Sequence, residues 1–328
     1  MLALVTGADG LLGSHLVRGL LEEGYEVRTF VQPNSPSPTL NDLPIETIHG
    51  DLLDESNVLF DAIRGCQIVF HCAAITNMWA SRDLVWKVNV DAAKTVIDGC
   101  LKHGVKRLIH TGSASSFQFG TIASPGKETA PFPPQYQGVP YMESKHRAAD
   151  ILKEAIENRG LDAVTIAPTF MLGDLDFRPS SGELIRQFIK RRLRFVSPGG
   201  RSFAYAKDVA AAMIHAVDRG EKGETYIAGG ENLSYMDFFS KVAQISGLAP
   251  KPIGALPGPI IGLAGAAGSL VEKVTGKPVA LNRQLAKLSL FGTYYDSQKA
   301  VQVLGMPQTS VEIGIKDTLD GLKTFDLI

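Results

Sequence analysis

A phenol and an ammonium stand four residues apart in Tyr141-Met142-Glu143-Ser144-Lys145, a spacing that puts both on one face of a helix. An ordinary tyrosine titrates near pH ~10, too high for ready proton exchange at neutrality. A cation about 5 Å away, at an effective dielectric of about 20, favours the phenolate by roughly 3 kcal/mol, about two pKa units. The pair therefore predicts a general acid/base made of Tyr141 and Lys145. A third group comes from Thr111-Gly112-Ser113-Ala114-Ser115-Ser116, which follows the apolar run Arg107–His110. One serine there can hydrogen-bond a substrate oxygen and stabilise charge developing on it. Distance from the strand selects Ser113, with Ser115 second.

Thr6-Gly7-Ala8-Asp9-Gly10-Leu11-Leu12-Gly13 places glycines at 7, 10 and 13, between an apolar run and a helical pattern. Small residues there let the backbone turn sharply, so that a pyrophosphate can face the first amides of the helix. Turns and caps also need glycine, but the strand–loop–helix context makes this a dinucleotide site. The end of the second strand, Phe30-Val31-Gln32-Pro33-Asn34-Ser35, carries no carboxylate. An acidic side chain at that place accepts hydrogen bonds from the ribose of NAD. Its absence tolerates a phosphate-bearing ribose, so NADP is favoured over NAD, although Gln32 is neutral rather than basic.

The elements that must position these groups alternate. Leu2–Val5, Glu26–Val31, Ile45–His49, Ile68–His71, Arg107–His110 and Val164–Ala167 read as strands, with Thr225–Ala228 a seventh. Helical patterns lie between them, at 11–23, 56–63, 84–103 and 141–159. Parallel neighbours need crossovers, so the fold class is α/β, a Rossmann-type doubly wound parallel sheet. Residues 1–170 form the dinucleotide-binding part, to which 205–230 returns. Residues 171–204 and 231–328 form a smaller, mostly helical substrate-binding part, without clear strands beyond about Asn232. Asp208 reads as an N-cap before an apolar helix. His71 reads as a packed strand residue, and Asn89 as a bridge between backbone segments.

The 328 residues carry 33 Lys+Arg and 34 Asp+Glu, a net charge of −1, and 45% are apolar. Such a chain can build a sizeable core and has no electrostatic footprint for nucleic acid. Three cysteines without CxxC spacing exclude a disulfide framework or structural zinc and fit a reducing, cytoplasmic setting. No metal site is expected. Two stretches stand out. Lys190-Arg191-Arg192-Leu193-Arg194 reads as a solvated helix end or as a grip on an anionic group. The uncharged run from Pro252 to Val271 reads as a buried or lid helix, or as a lipid-facing segment; its prolines and glycines weaken it as a membrane span.

Taken together, these motifs resemble the extended short-chain dehydrogenase/reductase family, also described as the NAD-dependent epimerase/dehydratase family. The resemblance spans essentially the whole chain. It rests on the glycine loop, Gly50-Asp51-Leu52, His71-Cys72-Ala73-Ala74, Asn89, the serine turn, Tyr141 to Lys145, and Ala167-Pro168-Thr169. Within the family the chain looks most like the dihydroflavonol-reductase-like group, which includes the hopanoid-associated epimerases. The resemblance implies a catalytic group of Ser113, Tyr141 and Lys145. It also implies a cofactor site made of Gly7, Asp9, Gly10, Leu11, Leu12, Gln32, Asp51, Leu52, Ala73, Ala74, Tyr141, Lys145 and Pro168. The dihydroflavonol reductases carry arginine where Gln32 stands, and their serine turn reads Thr-Ser-Ser.

The resulting expectation is reversible hydride transfer between NADP, or NAD, and a carbonyl or secondary alcohol. The substrate is expected to be a small molecule of apolar character, contacted by Met78, Trp79, Ser115 and Phe170. The aromatic residues Phe117, Phe119 and Phe132 read equally as substrate wall or core. An NAD-retaining nucleotide-sugar epimerase or dehydratase is the alternative, and a non-catalytic dinucleotide sensor the third reading. A homodimer is the family expectation.

Overall fold

The computed structural model describes all residues except 55–57, 79, 276–278 and 280. The central sheet is built from β1 (Leu2–Thr6), β2 (Glu26–Val31), β3 (Glu46–His49), β4 (Ile68–His71), β5 (Arg107–Thr111), β6 (Ala163–Pro168) and a late strand, Thr225–Ala228. Its order is the late strand, then β6-β5-β4-β1-β2-β3, with every pair parallel. The central strands are buried on both faces, which explains their short apolar runs without alternation. Helices α1 (Leu11–Glu22), α2 (Val58–Ile63), α3 (Arg82–Trp86), α4 (Ala92–His103) and α5 (Pro140–Arg159) supply the crossovers. The stretch expected as one helix over 84–103 is helical throughout, with a π-turn at Lys87–Asp91 that carries the buried Asn89.

Chain order reverses between β1 and β4, and a doubly wound sheet opens its ligand crevice at such a point. Gly7 marks it. Its φ of +65° is left-handed, and a Cβ there would stand 2.7 Å from the backbone of Ala73 beyond β4. Gly13 is equally constrained, because a Cβ would meet the Gly7 carbonyl oxygen at 2.1 Å. These glycines let α1 press onto the sheet.

The rhythm changes after β6. β7 (Phe170–Leu172), α6 (Gly182–Arg191), β8 (Phe195–Val196), β9 (Gly200–Tyr205) and α7 (Ala206–Arg219) precede the late strand of the main sheet, which is β10. Then follow β11 (Glu231–Ser234), α8 (Tyr235–Ser246), β12 (Gly254–Ala255), α9 (Gly258–Thr275), α10 (Arg283–Ser289), β13 (Gly292–Thr293) and α11 (Val311–Thr324). A second sheet gathers β7, β11 and β13 around β9, and β8 pairs with β12. The expectation of no clear strands beyond Asn232 is therefore corrected. These strands have two to four residues and no long apolar alternation; pairing with a distant partner defines them.

α7 packs its alanine-rich face with α1 in one core on the main sheet, which Ala300, Leu304 and Met306 also enter. A separate core joins Phe188, Phe203, Phe238, Val311 and Leu322. Asp208 is not the N-cap of α7, a position held by Tyr205. Its carboxylate instead accepts hydrogen bonds from Thr309 N at 2.7 Å and Thr309 Oγ1 at 2.8 Å, tying two distant segments together. Among the described residues, no helix is long and apolar enough to cross a membrane.

Candidate active site

Parallel strands aim their carboxyl ends in one direction, so the segments following β1, β2, β3, β4, β5 and β6 share one rim. Gly7, Asp9, Gly10, Leu11 and Leu12 follow β1; Gln32 is exposed just past β2; Asp51 and Leu52 lie past β3; Ala73 and Ala74 lie past β4; and Pro168 ends β6. The α1 N-cap is Gly10, with no side chain capping it and no acid in the first turn. The leading amides of α1 are thus available to an anion, and the helix dipole favours one there. Together with the Gly7 cradle this fits a dinucleotide diphosphate. Asp51 Oδ1 accepts from Leu53 N at 2.9 Å, which orders the turn beside the crevice.

At the end of β5, Ser113 opens a short 3-10 turn over Ala114–Ser116. Its Oγ lies 2.7 Å from Ser115 Oγ and accepts from Ser115 N at 3.3 Å, which fixes its rotamer. Pro140, suited to the first turn of a helix, starts α5, and one turn of that helix separates Tyr141 from Lys145. Asn89 steadies this start. Its amide bonds Ile75 N at 2.8 Å, Ile75 O at 3.0 Å and Ser144 Oγ at 3.0 Å. Ser144 in turn donates to the Tyr141 carbonyl oxygen at 2.7 Å. Asn89 does bridge, as expected, but not two backbone segments within the sheet: it joins the Ile75 backbone beyond β4 to the Ser144 side chain in the first turns of α5.

The electrostatics differ from the expected ones. Burial pushes the Tyr141 phenol above its ordinary value; hydrogen bonding by Ser113 and the charge of Arg201 oppose that rise. Lys145, one helical turn on, is buried as well. Its Nζ donates to the Thr111 carbonyl oxygen at 2.8 Å, and burial lowers its own pKa to about 8. The lowered phenol pKa expected from helical spacing is therefore corrected to a raised one, because burial outweighs the groups that favour the phenolate. His71 is buried at the end of β4, with Nδ1 2.8 Å from Thr6 Oγ1. Burial, aided by the Lys145 charge, lowers its pKa to about 3, so it is a neutral packed residue, as expected.

An apolar wall surrounds the phenol. Tyr136, Val139 and Met142 form a buried group against which Met78, Phe119, Phe132, Tyr141 and Leu288 pack. Of the aromatic residues left open as wall or core, Phe132 packs in this group, Phe117 packs instead with Ala114 and Tyr295, and Phe119 belongs to both. Ser115 lies beside Ser113, Phe170 lies on β7, and Trp79 falls outside the described residues.

Two arginines were missed in the sequence. Arg201 on β9 donates from Nε to Tyr235 Oη at 2.7 Å, and its guanidinium lies 5.1 Å from the Phe170 ring centroid. Its only sequence signal is a lone charge within an otherwise uncharged strand. Arg178, between β7 and α6, reaches the glycine loop: Nη2 donates to Asp9 Oδ2, and Nη1 donates to Ser35 Oγ at 2.7 Å. Nothing local announces this contact, which joins residues 169 positions apart. By contrast, Lys190, Arg191, Arg192 and Arg194 are exposed at the end of α6.

Comparisons with known proteins agree with the fold. Residues 3–229 match the model of the NAD dependent epimerase/dehydratase family. A Synechocystis protein named as a dihydroflavonol 4-reductase is 32% identical, over 96% of this chain and 92% of its own. Sterol demethylase protein B of Methylococcus capsulatus is 30% identical over 97% of both chains. A 2-alkyl-3-oxoalkanoate reductase of Stenotrophomonas maltophilia is 30% identical, over 96% of this chain and 98% of its own. The crystal structure of gox2253 superposes with a TM-score of 0.88 at 28% identity, covering 100% and 99% of the two chains. A Bacillus cereus UDP-glucuronic acid 4-epimerase, solved with UDP-glucuronic acid and NAD, shares the fold at TM-score 0.76 and 20% identity, covering 99% of each chain.

Proposed function

This chain belongs to the NAD-dependent epimerase/dehydratase family of extended short-chain dehydrogenases/reductases, and from that premise we propose that it reduces the carbonyl of a small apolar substrate, reversibly, with NADP as its preferred cofactor. The observation that carries this reading is the Ser113–Tyr141 pair set against an apolar wall of Met78, Phe119, Phe132 and Leu288. Bound in the crevice, the nicotinamide supplies or accepts hydride at the substrate carbon. Tyr141 donates its phenolic proton to the oxygen that becomes the alcohol. Ser113 donates a hydrogen bond to that oxygen while its charge grows. Lys145, fixed by Thr111, provides a buried positive charge under the site and a donor for the nicotinamide ribose.

The phenol is not pre-ionised in this scheme. A neutral Tyr141 is the form needed for carbonyl reduction, and its raised pKa keeps it so at neutrality. Residues 1–170 with 205–230 would hold the dinucleotide, and 171–204 with 231–328 the substrate. Gly7, Gly10, Leu11 and Leu12 would hold the diphosphate; Asp51 and Leu52 would flank the adenine; Ala73 and Ala74 would lie along the ribose; Pro168 would back the nicotinamide. For NADP the support is twofold: no carboxylate follows β2, and Arg178 stands over Asp9 and Ser35, where a ribose phosphate would need a cation.

Relatives named as dihydroflavonol and 2-alkyl-3-oxoalkanoate reductases are in keeping with a carbonyl substrate. The test is a carbonyl-substrate screen with both reduced cofactors, repeated on Tyr141→Phe. Turnover should fall by about 100-fold or more while dinucleotide binding persists; near-normal turnover in that variant would reject the assignment.

One observation favours a second reading. Arg201 places a guanidinium within electrostatic reach of Tyr141, which suits a diphosphate-bearing sugar as well as a carboxylated substrate. A nucleotide-sugar epimerase would retain NAD through purification and release no reduced cofactor.

A further inference from the structure

α9 is amphipathic in the reverse of the usual sense. Its inner face is made of small residues: a Cβ on Gly265 would come 2.4 Å from Ala286 Cβ, and one on Gly268 would come 2.0 Å from the Leu281 carbonyl oxygen. Its outer face carries the large side chains, with Leu263 73% exposed, Leu270 63% and Val274 78%. Ile260, three residues before Leu263, and Val271, three before Val274, lie on the same side of the helix. Within the segment foreseen as a buried or lid helix, α9 itself is buried only at Ile261 and Gly265. An apolar stripe of this length facing outward calls for an occupant.

A cationic turn adjoins the start of this helix. Ile253 N donates to the Arg194 carbonyl oxygen at 2.8 Å, and Phe195 pairs with Gly254 across β8 and β12. Leu193, Phe195 and Ile253 are exposed there, and Lys190, Arg191, Arg192, Arg194 and Lys251 surround them in sequence, all exposed. Arg186, one turn earlier, is paired with Glu183, but among the described residues none of these five cations takes an ion-pair partner. Apolar side chains beside unpaired cations match the boundary of an anionic bilayer, where acyl chains lie under phosphate groups.

We propose that the outer face of α9, with the turn at 190–195 and Ile253, docks on the surface of an anionic lipid bilayer. Charge decides between this occupant and a second copy of the chain. A two-fold contact presents the same patch to itself, and five cations without a facing acidic cluster do not complement one another. A phosphate layer supplies the missing charge. The docked face also lies one helix from the chamber: α9 packs on α10, and Leu288 of α10 belongs to the apolar group around Tyr141. The proposal does not depend on which reaction the chamber performs.

The test is flotation of the full chain with vesicles of phosphatidylcholine, with and without phosphatidylglycerol, at low and high salt. The chain should float with the anionic vesicles and be released as salt rises. Leu263→Glu combined with Leu270→Glu should weaken partitioning by about tenfold or more. Arg191→Glu combined with Arg194→Glu should do likewise, mainly at low salt. All four positions are exposed, and an unchanged melting temperature and unchanged NADPH binding would show that each variant is folded. Failure of the wild type to float, or variants that float as it does, would overturn the proposal. So would sedimentation showing a dimer that Leu263→Glu with Leu270→Glu splits without any vesicle binding, since the face would then belong to a second copy. Loss of NADPH binding in the wild type would instead bear on the enzyme reading alone.

Discussion

Lys145 Nζ donates to the carbonyl oxygen of Thr111 at 2.8 Å, which links the first turn of α5 to the end of the strand that carries Ser113. The bond fixes a buried ammonium beneath the proposed nicotinamide position and aligns the turn holding the serine. Burial lowers the pKa of this lysine to about 8, which makes it a sensor of pH.

For Lys145 the consequences have opposite signs. Catalysis that needs the charged ammonium should be level below about pH 8 and decline tenfold per pH unit above it. Stability behaves differently. Between about 8 and 10.5 the unfolded chain binds more protons than the folded one, so stability rises with pH across that window. Below it the buried charge costs about 3 kcal/mol. Lys145→Met should therefore raise the neutral-pH melting temperature while weakening dinucleotide binding. Calorimetry and a pH–rate profile check both; a lower melting temperature in that variant would refute the assignment of strain to the ammonium.

Ser113 and Ser115 can be separated by substitution. Ser113 is the hydrogen-bonding neighbour of the phenol, and Ser115 reaches the site only through Ser113, at 2.7 Å between their oxygens. Ser113→Ala should lower kcat by about 100-fold, as loss of a donor to a growing oxyanion does. Ser115→Ala should cost about tenfold at most, since Ser113 keeps its own hydroxyl. Steady-state kinetics on any substrate found in the screen decides; equal losses would assign the two serines equal roles.

The proposed preference for NADP can be tested at Arg178. Removing a charge-assisted partner of a phosphate costs about 1.5–3 kcal/mol, or roughly 10–100-fold in affinity. Arg178→Gln should weaken NADPH by that range and leave NADH nearly unchanged, measured by fluorescence titration. Equal weakening of both would place the guanidinium on the diphosphate, and no change would leave it as a partner of Asp9 and Ser35 alone.

Acid stability should report on His71. Burial, with the Lys145 charge, holds its folded pKa at about 3, against 6.5 for an ordinary imidazole. As pH falls through 6.5 the unfolded chain takes up a proton that the native imidazole refuses, so stability is lost progressively down to about 3. At about pH 5 the loss is about 2 kcal/mol. His71→Gln should show a smaller fall in melting temperature between about pH 7 and about pH 5 than the wild type does. An identical fall would assign the acid sensitivity to other groups.

Much of this protein follows from local chemistry. The glycine spacing at 7, 10 and 13, the apolar runs, and the tyrosine and lysine one helical turn apart specify a doubly wound sheet and the segments on its ligand rim. Backbone sterics and side-chain period act between near neighbours, so a linear reading captures them. The raised pKa of the Tyr141 phenol, by contrast, depends on how deeply distant segments bury it, which helical spacing alone does not report. Arg178 and Arg201 gain meaning only when β7 and β9 fold back toward the glycine loop and the tyrosine.

The short strands β11 and β13 and the reversed polarity of α9 belong to the same class. The uncharged run 252–271 reads first as a buried or lid helix and second as a lipid-facing segment, and only the packing of α10 against the α9 glycines decides which side meets the protein. Sequence alone determined the sheet, the phosphate loop and the candidate acid. Tertiary structure decided which charges face the crevice and which apolar surface is left outside, because those depend on distances between segments far apart in the chain.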